Sequence, residues 1–330
     1  MPKLAVSILN YRTADLTRAC LDSVMADIGG VDAEVIVVDN ASGDGSAEAV
    51  EAWIAAHPGA PVRLIRSAEN GGFSAGHNQA IAASTAEYVL ILNSDAEVRA
   101  GCLAALLDRA DRQPRAASVS ARLEGADEVP ETSCFRDPTG LSELLRGAQI
   151  GALTRLLRRW EVPLGPAPDP ARIQWTAFAC ALLRREALDA LGPMDEGYFL
   201  YFEDVEFCRR ARLAGWEVAH EPRARALHHM GGSTQVTAQG AAQRRRPAYY
   251  YAARSRFFAQ AYGRWGLWVA NLSWHAGRGL SRLRLLAGKP VPASAENEAR
   301  DIWIGAADPL GEIRRAPART AAAAASADPS

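Results

Sequence analysis

The chain has 330 residues, a net charge of −1, 48% hydrophobic and 23% charged residues. That is ordinary soluble globular chemistry, long enough for one large domain or two modest ones. It excludes a global field that would favour nucleic acid. Five scattered cysteines, Cys20, Cys102, Cys134, Cys180 and Cys208, fit neither a zinc site nor a disulfide framework, so reduced thiols are expected. Leu4–Leu9 is too short for a signal-peptide core, and no apolar run is long enough to span a bilayer. A protein of the cytoplasm, or of the membrane's cytoplasmic face, is expected.

The first 120 residues alternate short apolar runs with amphipathic segments. Strands are predicted at Leu4–Leu9, Glu34–Val38, Val62–Ile65, Tyr88–Leu92 and Ala117–Ala121. Helices are predicted at Thr13–Ala26, Ser46–Ala56, Ser74–Ala83 and Cys102–Ala110. Near-continuous apolar strands alternating with helices mean an α/β fold with a mostly parallel sheet covered on both faces. Six prolines between 130 and 170 interrupt the middle, where a helix is predicted at Leu141–Arg159. A strand follows at Gln174–Arg184 and a helix at Arg185–Leu191. After a Gly-Pro break come a helix at Val205–Ala214 and two short strands, Glu217–Ala219 and Ala224–Leu227. Residues 247–285 read as helical and carry Trp265, Trp268 and Trp274; the Ala-rich 313–330 reads as a disordered tail.

Parallel sheets bind ligands at the carboxyl ends of their strands, so the residues there are the first candidates. Asn10-Tyr11-Arg12-Thr13 follows the first strand and is not a dinucleotide-binding glycine motif. Asp39-Asn40 follows the second, where an acid can reach a ribose hydroxyl or a base N–H; Ser42–Ser46 can equally be a capped turn. Asn70-Gly71-Gly72 opens the third helix, where backbone N–H groups can approach a phosphate. His77 reads as a polar surface or helix residue. Asn93-Ser94-Asp95 ends the fourth strand, an oxygen donor for Mg²⁺ or Mn²⁺. Glu203-Asp204 follows an aromatic stretch and opens a helix; Asp204 suits a general base, and suits a helix cap equally well. His228-His229 offers an imidazole for such an ion.

These segments resemble family 2 glycosyltransferases of the GT-A fold, especially the bacterial rhamnosyltransferase-like branch. The matching runs are Val6–Tyr11, Val37–Ser42, Asn70–Phe73 with Gly76 and Asn78, Leu92–Asp95, Phe199–Asp204 with Cys208 and Arg210, and His228–Ser233. The resemblance implies a transferase domain over 1–240, with a nucleotide-sugar half to about 122 and an acceptor half beyond, then a basic helical extension over 241–312. It implies that Asn10, Tyr11, Asp39, Asn40, Asn70, Gly71, Gly72, Asn78, Asn93 and Ser94 bind a nucleoside-diphosphate sugar, dTDP-rhamnose being the branch's common donor. Asp95 and His228, less so His229, would hold Mg²⁺ or Mn²⁺. Asp204, with Glu203 beside it, would be the base of an inverting transfer. Trp175, Cys180 and Arg210, with Ala179–Ala181, would line the acceptor side. One departure is Asn93, where the family's metal motif has a first acid; an amide is the weaker ligand.

Residues 244–290 hold ten Lys or Arg and no acid. With three tryptophans, this suits an interfacial helix on anionic lipid, and hence a polyprenyl-linked glycan acceptor in cell-surface polysaccharide synthesis. Packing against the protein's own core, or against a second subunit of a homo-oligomer, is the alternative. No recognition motif supports a nucleic-acid partner. Two other classes stay open: a non-catalytic sugar-nucleotide or glycan-binding protein, disfavoured by the two acids, and a nucleotidyltransferase, disfavoured by the absence of a basic Gly-rich loop after the first strand.

Overall fold

A computed structural model describes residues 1–229 and 244–311. The Gly231–Ser233 run and the predicted tail lie outside the described residues.

Eight strands form one sheet in the order β3-β2-β1-β4-β9-β6-β10-β5. They are β1 (Leu4–Asn10), β2 (Ala33–Asp39), β3 (Val62–Arg66), β4 (Tyr88–Asn93), β5 (Ala96–Val98), β6 (Ala116–Glu124), β9 (Cys180–Arg184) and β10 (Glu217–His228). Only β9 and β5 run against the rest, β9 inserting between β4 and β6. Alternate residues of each strand feed opposite layers. Leu4, Val6 and Ile8 pack with Leu21, Val24, Trp53 and Leu106 from α1 (Ala14–Asp27), α2 (Ser46–Ala56) and α4 (Cys102–Arg112). Ala5, Val89 and Ile91 face Ile81, Leu188 and Phe207 from α3 (Gly72–Ala82), α7 (Arg185–Leu191) and α8 (Glu203–Leu213). The sheet is therefore covered on both faces, as its apolar strands require.

The middle differs from expectation. Leu141–Arg159 is two helices, α5 (Gly140–Ala148) and α6 (Gly151–Leu156), broken at Gln149, whose φ is +48°. Thr139 and Ser142 form a capping box that starts α5. Gln174–Arg184 is two strands: β8 (Trp175–Thr176) pairs with β7 (Cys134–Phe135) in a small second sheet, and only β9 joins the main one. The two short strands at 217–227 are one, β10, with a register shift between Glu221 and Arg225. Pro222 lies there and cannot donate to the ladder.

The extension folds back. Segment α9 (Ala248–Ser281) is two helical runs broken at Gly263, whose φ is +72°; the second run crosses α5 so closely that a Cβ on Gly277 would meet the Leu144 carbonyl oxygen at 2.2 Å, and one on Gly147 the Trp274 carbonyl oxygen at 2.3 Å. Arg254, 2% exposed, donates to Glu143 of α5 at 2.8 Å and to Asn271 at 2.7 Å. Burial alone would raise the Glu143 carboxyl, but the charges of Arg146 and Arg254 outweigh it and hold it down at about 2. Arg245 pairs with Asp301 and Arg246 with Glu298, both on α10 (Glu298–Asp301). Much of the predicted basic character is thus consumed internally. Among the described residues no helix is long and apolar enough to cross a membrane.

Candidate active site

The carboxyl ends of β1, β2 and β4 are tied together by side chains. Asn10, fully buried, donates to Asp39 at 2.6 Å and to Ser42 at 3.2 Å. Its carbonyl accepts from Thr13 and Thr17. Asp39 also accepts from the Ser42 hydroxyl and backbone N–H. Thr13 meets the Ser94 hydroxyl at 3.0 Å. Asn10 and Ser94 are thus parts of a buried hub, and Asp39, 4% exposed, is its centre. Tyr11 is exposed beside this hub, with the Arg12 guanidinium 5.2 Å from its ring.

The glycine pair does other work than phosphate binding in this conformation. The Gly71 and Gly72 N–H groups go to Asn40 and Asn70 side chains at 3.3 and 3.0 Å, and the Phe73 N–H goes to the Phe199 carbonyl at 2.7 Å. A Cβ at Gly72, whose φ is +87°, would sit 2.1 Å from that carbonyl oxygen. The glycine lets the loop before Asp204 lie on the start of α3. Asn40 bridges to Asn70 at 2.8 Å. Asn78 clasps Met194 through both its amide atoms. His77 is buried, not on the surface: its Nδ1 lies 2.7 Å from the Ser7 hydroxyl, and burial pushes it down to about 3.

Asp95 is 2% exposed, and its backbone carbonyl accepts from His229. His228 Nε2 lies 3.7 Å from Asp95 Oδ1, with Glu131 3.5 Å from its Nδ1. His229 instead meets Glu97 at 2.7 Å. A carboxylate and an imidazole held just beyond hydrogen-bond range suit two donors of one hard cation; Glu131 lies near the other ring nitrogen without hydrogen-bonding it. Among the described residues no group of three protein donors forms a cage. A two-donor arrangement fits an ion that takes its remaining ligands from substrate phosphates and water.

Asp204 sits differently. It is the second residue of α8, not its cap; the cap position is Phe202. Tyr201 and Phe202 both have positive φ, +74° and +69°. Two consecutive non-glycine residues in that region cost about 1–2 kcal/mol each. Their rings are gripped by α9: Tyr250 lies 5.6 Å from Tyr201 and 5.8 Å from Phe202, and Phe257 5.7 Å from Phe202. Upstream, Arg256 and Gln260 of α9 hold Asp195 at 3.0 and 2.7 Å. The bend turns Asp204 toward a cavity of about 490 Å³ lined by Phe135, Trp160, Trp175, Tyr201, Tyr250 and Arg254 among others. Burial pushes its carboxyl up to about 7, although N–H groups of Val205, Asp204 and Phe178 oppose the shift. Glu203 is buried and is not among the residues lining the cavity; burial and the adjacent Asp204 charge push it well above the usual carboxylate range.

Asp204 and the strand-end corner are neighbours. Phe178 donates to Asp204, and the Ala179 carbonyl accepts from Asn93 of β4 at 2.9 Å. Of the predicted acceptor residues, Trp175 lines the cavity, stacked on Phe135 at 4.1 Å. Cys180, Ala181 and Ala179 do not: they are core residues of β9 and its entry. Arg210 does not either; its guanidinium is spent on Glu206 and on carbonyls of Leu191, Gly192 and Pro193. Arg254 and Tyr250 were missed as cavity residues, because 75 to 119 positions of chain separate them from Trp175 and Phe135, the strand residues that line the same cavity. A second cavity at the opposite end of β1, lined by Met1, Lys3 and Arg185, lies away from every candidate.

The family model for glycosyl transferase family 2 matches residues 5–192, a span holding the hub, the α3 entry and Asp95. The chain belongs to glycosyl transferase family 2. As a family 2 glycosyltransferase it transfers sugars in glycan biosynthesis. It is 30% identical over 262 residues to the N-acetylglucosaminyl-diphospho-decaprenol L-rhamnosyltransferase of Mycobacterium tuberculosis, covering 73% of this chain and 78% of that protein. Over 72% of the chain it is 28% identical to the O-antigen biosynthesis protein RfbC of Myxococcus xanthus, spanning 18% of that protein. The mannosyltransferase PcManGT from Pyrobaculum calidifontis, solved in complex with GDP-Man and Mn2+, superposes with a TM-score of 0.56 at 18% identity, over 88% of this chain and 76% of that one. The GT-A fold expected from the sequence is shown.

Proposed function

We propose that this enzyme moves a rhamnose-like sugar from a nucleoside diphosphate, dTDP-rhamnose favoured, to a hydroxyl of a polyprenyl-diphosphate-linked glycan. The observation that carries the chemistry is Asp204, turned by a strained backbone into an aromatic cavity with its carboxyl raised to about 7. A base poised near working pH takes a hydroxyl proton most effectively. Asp204 accepts that proton, and the acceptor oxygen attacks the anomeric carbon. The bond to the nucleoside diphosphate breaks, and configuration at that carbon inverts. The residue range to about 122 holds the donor at the hub, beside exposed Tyr11. The range 123–240 and the extension 241–312 enclose the acceptor, where Trp175 and its neighbours offer flat faces to a sugar ring.

Asp95 and His228 would hold Mg²⁺ or Mn²⁺, which when bound supplies positive charge to the departing diphosphate. Asn93, neutral and partly buried, leaves the ion more dependent on the donor's phosphates. The relative's name, a rhamnosyltransferase acting on a diphospho-decaprenol glycan, supports the choice of substrates. A location on the cytoplasmic face of the membrane, with contact through 244–290, belongs to the same reading. The test is release of nucleoside diphosphate from a panel of donors with a lipid-linked acceptor, with and without Mn²⁺. Release from dTDP-rhamnose with formation of a β- or α-linkage opposite to the donor's supports it. Release of pyrophosphate, or no release from any donor, overturns it.

A further inference from the structure

Helix α9 has two faces. Leu267, Ala270, Asn271, Trp274, Gly277 and Ser281 are buried against the protein. On the opposite side, at three- and four-residue spacing, stand Trp265, Trp268, Val269 and Leu272, exposed at 83, 48, 53 and 56%. The stripe continues through Leu280 and Leu283 to Leu286, 87% exposed, in the turn Arg282–Ala287. One continuous apolar stripe with two tryptophans is not ordinary solvated surface.

The charge along the helix and turn that carry it has one sign. Arg245, Arg246, Arg254 and Arg256 are neutralised by acids, but Arg264, Arg278, Arg282, Arg284 and Lys289 have no carboxylate partner among the described residues. No acid occurs between 244 and 290. Tryptophan and arginine also serve protein interfaces, so what favours a bilayer is their combination with a cationic helix and turn free of acids: indole rings settle at the headgroup boundary, and lipid phosphates meet arginine.

We propose that this face of α9 and the turn after it seat on the surface of an anionic bilayer, with Trp265, Trp268, Val269, Leu272 and Leu286 entering the headgroup–acyl boundary. The run before the Gly263 break supplies Tyr250 and Arg254 to the cavity that holds Asp204, and Arg254 is tied to the striped run through Asn271 at 2.7 Å. Docking therefore sets the cavity beside the membrane, where a lipid-linked acceptor is presented. The purpose of the surface rests on that acceptor reading, but its binding does not.

The experiment is co-sedimentation of the full chain with phosphatidylcholine vesicles, with and without phosphatidylglycerol, at low and high salt. Circular dichroism is used to confirm folding of a Trp265→Ser, Leu272→Ser, Leu286→Ser variant. Sugar transfer to a water-soluble acceptor analogue is measured in parallel. The expected result is binding to the anionic vesicles that weakens with salt, a blue shift of tryptophan emission, at least a tenfold loss of partitioning in the variant, and unchanged transfer to the soluble analogue. Equal binding to purely phosphatidylcholine vesicles, no binding to either, undiminished binding of the variant, or a concentration-dependent dimer that the same substitutions dissociate would overturn the proposal. Loss of transfer by the unaltered protein on the soluble analogue would count against the enzymatic reading and leave the docking result standing.

Discussion

The hub at the ends of β1, β2 and β4 and the turn that carries Asp204 are neighbours built on opposite principles. In the hub, Asn10, Asp39, Ser42 and Thr13 spend their polar atoms on one another, and the positive φ of Arg12 and Ala41 between them, +59° and +55°, serves that mutual pairing. At the turn, two aromatic residues hold unfavourable φ values, and two adjacent carboxyls are forced above their usual range. Satisfied networks make a rigid floor; buried carboxyls pushed toward their protonated form are tolerated where chemistry is to be done. The contrast assigns the hub to support and Asp204 to reaction.

The sharpest way to break that contrast is Asp204→Asn. Transfer should fall by on the order of 10²–10⁴-fold, with donor affinity nearly intact by calorimetry. The same variant should be more stable than the parent at pH 8. Because the folded-state carboxyl is raised, its stabilising protonation is complete only below the unfolded value and is lost as pH rises through about 7, and an amide avoids that loss. A lower melting temperature for the variant at pH 8 would contradict the strain argument. Next in size, Asp95→Ala should raise the Mn²⁺ concentration needed for half-maximal donor binding by about 10–100-fold, at least what an orienting neighbour costs. Unchanged metal dependence would remove Asp95 from the ion.

Asn10→Ala probes the other side of the comparison. It leaves buried partners unpaired and should cost about 1–3 kcal/mol in chemical unfolding, with kcat falling less than for Asp204→Asn. The smallest effect is expected of Glu203→Gln. Burial and the adjacent Asp204 charge push Glu203 toward its neutral form, and it is not among the cavity-lining residues, so a neutral amide there should disturb the cavity little. Turnover should change by less than tenfold, and a loss as large as that of Asp204→Asn would reverse the two roles.

Much of this was legible along the chain. Buried parallel strands show as continuous apolar runs, so β1 to β4 and β6 were predicted within a residue or a few, and the ordered motifs pointed to the family. What was not legible depends on distant neighbours. Nothing local to Cys180 tells that β9 inserts antiparallel between β4 and β6 and buries it. The Gly71-Gly72 pair reads like a phosphate loop, but Gly72 is required by a carbonyl 127 positions later. Arg254 reads in the sequence as part of a basic interfacial helix, with packing against the core as the alternative, and only Glu143 opposite it decides for packing at this position. The positive φ of Tyr201 and Phe202 has no signature in two aromatic letters; packing against Tyr250 and Phe257 imposes it.

The central claim, that Asp204 is a base tuned by its surroundings, is tested most directly by the pH dependence of kcat/KM, measured on the parent and on Glu203→Gln. The account predicts that both rise with pH through a midpoint near 7 and level off above it, since only the ionised carboxylate accepts the proton. A profile already flat from pH 5 upward, or a midpoint that moves with Glu203, would contradict it.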